Sequence, residues 1–301
     1  TPEMCAREFS RFATVCSSLD DKGLKFIACG PNGHDLGWTH DFLCELTRGG
    51  RRAPAAYGLS AHYYCGAAGD PVGFTEDEWY RQLFQAACMR GIVDDHRAVM
   101  DRFDPERKLA LIVDEWGCWH PAGSGPSKGY NLFEQQATMR DAVVAALTLN
   151  LFNNRCDVVS MANVAQLCNN LHTLYLAGGP SFVETPNYHV FYMFTGHKGA
   201  RQLCVSNGCG ALERPGFEAM DRVSASASQA EDGSVTITLA NCDVGASVEV
   251  AVSGIGGRLD GMAEVTVLAA SDPHAHNDFE NPNAVMPTVY RTAFSDGDHV
   301  I

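Results

Sequence analysis

The sequence has 301 residues, 46% apolar and 19% charged, a globular composition that excludes a disordered chain and allows one large domain or two ordinary ones. Lys and Arg total 22 against 36 Asp and Glu, a formal net charge of −14; this argues against nucleic acid or an anionic membrane as a partner, because phosphate surfaces are bound by basic ones. No apolar run approaches the roughly 18 residues of a membrane span.

The chain begins TPEMCAREFSRF. It has no basic stretch leading into an apolar core, so no signal peptide is expected, and without an initiator Met it reads as a processed, trimmed or partial chain. Thr1, Pro2 and Glu3 form a helix start: a capping hydroxyl, Pro in the first turn and an acid near the positive end of the dipole. That helix should run to about Cys16. Residues 24–29 (LKFIAC) predict a short strand ending at Gly30, Pro31, Asn32 and Gly33. Next come a helix over 39–47, a second strand over 55–64 (AAYGLSAHYY), and helix from 76 through 90 and on to 103. A third strand over 109–116 (LALIVDEW), an Ala-rich helix over 135–150, a fourth strand over 157–165 and a short helix over 185–194 follow. Mostly apolar strands alternating with helices indicate a parallel sheet with right-handed crossovers. Beyond about residue 200 the pattern changes. Residues 234–240 (SVTITLA) and 247–253 (SVEVAVS) alternate at period two, 264–268 follow, and Gly-rich turns lie between. The predicted organisation is α/β over residues 1–200 and an antiparallel β-sandwich over 201–301.

The 12 cysteines are dispersed, with no CxxC pair. Zinc sites usually show such pairs, so no metal is expected, and a chain of this length needs no disulfide scaffold. Most are expected to be buried free thiols in a reducing cytoplasm; Cys204 and Cys209 are the pair set apart.

The sharpest feature is Val113-Asp114-Glu115-Trp116-Gly117-Cys118-Trp119-His120. An apolar strand delivers two carboxylates and two indoles at its C-terminal end, the active face of parallel barrels. A carboxylate nucleophile flanked by flat apolar faces suits glycoside chemistry. Taken alone, the same residues also suit a capping carboxylate and a core indole. His62 and Tyr64 end the preceding strand two residues apart, hence on one side of it, and can orient a carboxylate by hydrogen bonding. Asn163 and Gln166 end the fourth strand, where amides can read sugar hydroxyls. Asp114 should face away from Glu115 by strand alternation and is read as structural. His274 and His276 sit in HAHND, read as a turn rather than a metal site, and His189 is read as packing.

Residues 109–120 resemble the nucleophile strand of glycoside hydrolase family 51, the α-L-arabinofuranosidases. Residues 157–170 (DVVSMANVAQLCNN), 185–194 (TPNYHVFYMF), 28–38 (ACGPNGHDLGW) and 274–282 (HAHNDFENP) are also similar to that family, in order and over nearly the whole chain. The resemblance implies part of a (β/α)₈ TIM barrel followed by a β-sandwich, and a retaining double displacement without cofactor or metal. It implies that Glu115 is the nucleophile, that Tyr64 hydrogen-bonds it, and that His62, Trp119 and Gln166 bind substrate. The implied partners are arabinose-containing oligosaccharides from arabinan or arabinoxylan, with the complete enzyme a homo-oligomer in the cytoplasm.

The family's acid/base Glu lies in a Gly-Asn-Glu motif ending the fourth barrel strand, and no Gly-Asn-Glu occurs here. The chain is therefore expected to carry strands five to eight of the barrel and to lack the N-terminal half with its acid/base. Competing readings are another retaining hydrolase of related architecture, such as an endoglucanase or β-xylosidase, and a non-catalytic fragment. A thiol or zinc protein ranks last, for want of motif spacing.

Overall fold

The computed structural model describes residues 1–17, 23–48, 56–126, 133–295, 297 and 299–300; Ala55 and Ile301, each at the end of a predicted segment, lie outside them. In chain order the elements begin with α1 (Pro2–Ser17), β1 (Phe26–Ala28), α2 (Leu36–Thr47), β2 (Ala56–Gly66), α3 (Glu76–Ala87), α4 (Met89–Met100) and β3 (Ala110–Trp119). They continue with α5 (Met139–Asn154), β4 (Val159–Val164), β5 (Tyr175–Gly178), β6 (Ser181–Glu184) and α6 (Pro186–Met193). A 3₁₀ turn (Phe194–His197) follows, and then strands: β7 (Arg201–Leu203), β8 (Ala211–Leu212), β9 (Met220–Asp221), β10 (Val223–Gln229), β11 (Val235–Asn241), β12 (Val250–Ala251), β13 (Gly261–Val267), β14 (Thr288–Phe294) and β15 (His299–Val300). The protein is thus mixed α/β, with one parallel sheet and several antiparallel ones. No helix of the described residues is long and apolar enough to cross a membrane.

Contacts group the chain into two compact units: residues 1–64, 88–116 and 155–164 form one, and residues 65–87, 117–154 and 165–301 the other. The first holds the parallel sheet, in the order β1-β2-β3-β4, so that β1 and β4 are its edges among the described residues. Leu111, Ile112 and Val113 of β3 are fully buried, which stabilises the strand by about 1.5–3 kcal/mol per side chain. This continuous burial is what a parallel strand covered on both faces requires. Helix α2 packs on α1 and α4. It starts at Asp35, whose side chain accepts from the Trp38 N–H at 2.9 Å.

In the second unit α5 packs on α3, α6, β10 and β11. The antiparallel ladders are β11-β10-β7, β12-β15, β13-β14, β5-β6 and β8-β9. Several expectations shift. Helix α5 starts at Met139 rather than 135. The Gln135 amide donates to Cys118 O and accepts from the His120 N–H, and Gln136 donates to Asn277 O, so this stretch is held by side-chain bonds to distant backbone instead of by helix. The helix over 76–103 is interrupted at Cys88. The predicted strand over 247–253 shrinks to Val250–Ala251.

All 12 cysteines are free, but only Cys65, Cys118 and Cys242 are buried. The expectation that most are buried is corrected: Cys44, Cys88, Cys156 and Cys168, for example, are exposed, lying where their segments face solvent.

Candidate active site

The parallel sheet of the first unit positions two side chains from neighbouring strands. Tyr64 of β2 donates its hydroxyl hydrogen bond to Glu115 Oε2 of β3 at 2.7 Å. Burial first, and then the bond to the Glu115 carboxylate, hold the Tyr64 phenol well above its ordinary value, so it remains a donor at neutral pH. Glu115 itself is exposed.

The β3–β4 pairing explains how Glu115 comes to its position. Val113 pairs with Ala162 and Trp116 with Val164, so three residues of β3 advance against two of β4. The extra residue falls at Asp114–Glu115 and breaks strict alternation. Asp114, expected to point away, instead lies with Oδ1 3.5 Å from His62 Nδ1. His62 is fixed through its backbone: its carbonyl accepts from the Gly33 N–H at 2.8 Å, and the Gly33 carbonyl in turn lies 2.8 Å from His96 Nε2. The 30–33 loop can approach this closely because Gly30 has no Cβ; one there would collide with the Ser60 carbonyl.

The second unit holds the remaining expected site residues. Trp119, the last residue of β3, is exposed and meets Phe133 edge-on with centroids 5.6 Å apart. Gln166 follows the cis Ala165–Gln166 peptide; its N–H donates to Asn170 O at 2.9 Å and its Oε1 accepts from Asn170 Nδ2 at 3.1 Å. His189 is buried on α6. His274 lies in a turn, with Nδ1 2.7 Å from Asp272 and Nε2 2.8 Å from the Phe74 carbonyl.

Sequence reasoning missed a buried cluster in this unit. His120 Nε2 lies 2.8 Å from Asp141 Oδ1, and both side chains are fully buried. Asp141 Oδ2 accepts from the Thr138 N–H and hydroxyl at 2.8 and 3.0 Å, which caps α5. The Thr138-Met139-Arg140-Asp141 spacing was the available signal for the true helix start. His172 lies 3.9 Å from the same carboxylate, and burial pushes its imidazole down to about 4. Ligand-type atoms of Cys118, His120 and Asp141 lie within 4.8 Å of one another, a donor set able to hold a metal.

Gly117 sits between the buried Trp116 and Cys118 of β3 at φ 143°, and a Cβ there would overlap the Cβ of His172. Gly117→Ala should therefore combine backbone strain with overpacking and cost about 2–4 kcal/mol. Urea denaturation would check this; an unchanged midpoint would show that the local backbone relaxes freely.

With the geometry in place, comparison with known proteins decides the family. The family model for the α-L-arabinofuranosidase C-terminal domain matches residues 114–300. A crystal structure of the GH51 arabinofuranosidase from Xanthomonas axonopodis pv. citri superposes with a TM-score of 0.88 at 31% identity, covering 99% of this chain and 59% of that one. The chain belongs to the family 51 α-L-arabinofuranosidases. Among the relatives of this chain, an intracellular exo-α-L-arabinofuranosidase from Bacteroides ovatus is 34% identical over 96% of this chain and 56% of its own length. An intracellular exo-α-(1→5)-L-arabinofuranosidase from Streptomyces lividans is 25% identical over 99% of this chain and 46% of its own. The chain thus spans about half the length of the curated relatives it matches, and corresponds to the family's C-terminal part.

Proposed function

We propose that this chain is the C-terminal part of a retaining exo-α-L-arabinofuranosidase, with Glu115 as nucleophile. The observation that carries the reading is the 2.7 Å hydrogen bond from Tyr64 to Glu115 at the C-terminal end of neighbouring parallel strands. In that reaction a Glu115 oxygen attacks the anomeric carbon as its bond to the leaving oxygen breaks, and a second carboxyl group protonates the leaving oxygen. Water, deprotonated by the same second group, then cleaves the arabinosyl ester and restores Glu115. Retaining chemistry places the two carboxyl groups about 5–5.5 Å apart. The proposal assigns the second to the part of the protein outside these 301 residues, since the Gly-Asn-Glu motif is not among them.

In the same reading the four parallel strands are part of a (β/α)₈ barrel, residues 1–200 are barrel and 201–301 a sandwich domain. The furanose-binding roles of His62, Trp119 and Gln166 rest on the resemblance of their motifs. The substrates are arabinose-containing oligosaccharides. A cytoplasmic, self-associating enzyme fits the names of the relatives and the resemblance.

The hydroxyl of Tyr64 positions Glu115 through its hydrogen bond. Tyr64→Phe in the complete enzyme should lower kcat/KM on an aryl α-L-arabinofuranoside roughly 10- to 100-fold, the value of a hydrogen bond to a charged group. Undiminished activity would remove Tyr64 from the mechanism. Faster hydrolysis of an aryl β-xyloside than of the arabinofuranoside by the parent enzyme would reassign the substrate.

A further inference from the structure

The cluster beyond Gly117 is not used by the proposed chemistry. Cys118 lies near the end of β3 and His120 just past it. Asp141 reaches them from the first turn of α5, and all three are buried, with ligand-type atoms within 4.8 Å. A thiolate, an imidazole and a carboxylate are the donor types of zinc sites. Two further observations point to a cation. His120 Nδ1 is buried with no hydrogen-bond partner among the described residues, while the other ring nitrogen faces Asp141. A carboxylate on one imidazole nitrogen is the arrangement that orients a metal-ligating histidine. In addition, the Cys65 thiol lies 3.6 Å from Cys118 Sγ; two sulfurs on one tetrahedral zinc, each at about 2.3 Å, are about 3.8 Å apart.

We propose that Cys118, His120 and Asp141 form a buried site for a zinc-class divalent cation, with the Cys65 sulfur in the fourth position. Asp141 serves either as a ligand through Oδ1 or, with its bond to His120 kept, as the group that orients the imidazole. Binding releases one proton from each thiol to solvent. The charges then balance: two thiolates and Asp141 against the dication and the neighbouring buried Arg140. Without a cation, burial holds the Cys118 thiol well above its ordinary value, and it stays protonated. The missing CxxC spacing hid the site, because its ligands come from two strands and a helix.

The test is a cobalt(II) titration of the purified protein, first stripped with a chelator and kept reduced, with zinc competition. One equivalent should bind tightly, with thiolate-to-cobalt charge-transfer absorption, and zinc should displace it. Cys118→Ser and His120→Gln should each weaken that equivalent by about a hundredfold or more. Cys88→Ser, at an exposed thiol, should leave it unchanged. His120→Gln keeps a donor for Asp141, so it should fold even if the cysteine variant does not; circular dichroism checks both. Absence of a tight equivalent in the parent protein, or its persistence in both cluster variants, overturns the site and leaves a hydrogen-bonded core cluster. Neither outcome depends on arabinofuranosidase activity.

Discussion

Glu115→Ala in the complete enzyme should lower turnover of an aryl α-L-arabinofuranoside by about 10⁴-fold or more, the scale of loss when a covalent nucleophile is removed. Glu115 is exposed and accepts a hydrogen bond from the Tyr64 hydroxyl, so the variant should fold with little change in stability. Truncation leaves space on the face from which the carboxylate would attack. A small anion such as azide can occupy it, and with an activated aryl leaving group should restore measurable turnover. The product should be the glycosyl azide of inverted configuration, because one displacement replaces two. Retained hydrolysis without azide would assign the nucleophile elsewhere. A rescued product of retained configuration would mean that Glu115 is not the attacking group.

How much of this fold could be read in advance depended on what each element buries. β3 was legible because Leu111, Ile112 and Val113 form an unbroken apolar run that only a buried strand accommodates. β10 was not. Its buried positions include Ser224, Ser226 and Ser228, which bond to Asn150, Thr238 and His197 rather than packing as apolar groups. A buried face of serines carries no hydrophobic signal, so a period-two search passes over it. β14 was missed for a related reason: Thr288–Phe294 is exposed nearly throughout, and its pairing with β13 joins residues far apart in sequence. The start of α5 was misplaced because Gln135 and Gln136 are good helix formers whose amides are used elsewhere.

The candidate site divides in the same way. Glu115, Tyr64 and His62 stood out because strand ends announce themselves locally, by polar residues after an apolar run. The contact of Asp114 with His62 was hidden by the irregularity in β3, which no composition rule locates. The pairing of His120 with Asp141 spans 21 residues and two kinds of element. Only the fold brings those groups together, and only their complete burial marks them as a unit.

That unit carries the largest expected effect on stability. Asp141→Ala should cost about 3–5 kcal/mol, the range for removing one partner of a buried pair, measured by urea denaturation at pH 7.5 with chelator present to exclude any bound cation. Asp141→Asn should cost less, since its amide oxygen can still accept from Thr138 and its amide nitrogen can donate to His120. The pH dependence separates the contributions. His172 titrates near 4 when folded, against an ordinary value near 6.5. The unfolded chain therefore takes up the proton first, and about 3 kcal/mol of stability present above pH 6.5 is lost as the pH falls toward 4. Asp141 shifts in the other sense relative to its charge. His120, Arg140 and His172 outweigh burial and hold its carboxyl below the ordinary range, so its contribution is intact above about pH 4 and lost only below it. Parent and Asp141→Ala proteins should thus differ by a similar amount at pH 7.5 and 5.5, and converge below about pH 4. Equal stability at pH 7.5 would mean that the carboxylate gains nothing net from its burial. A gap that closes already by pH 5.5 would place the titrating group elsewhere.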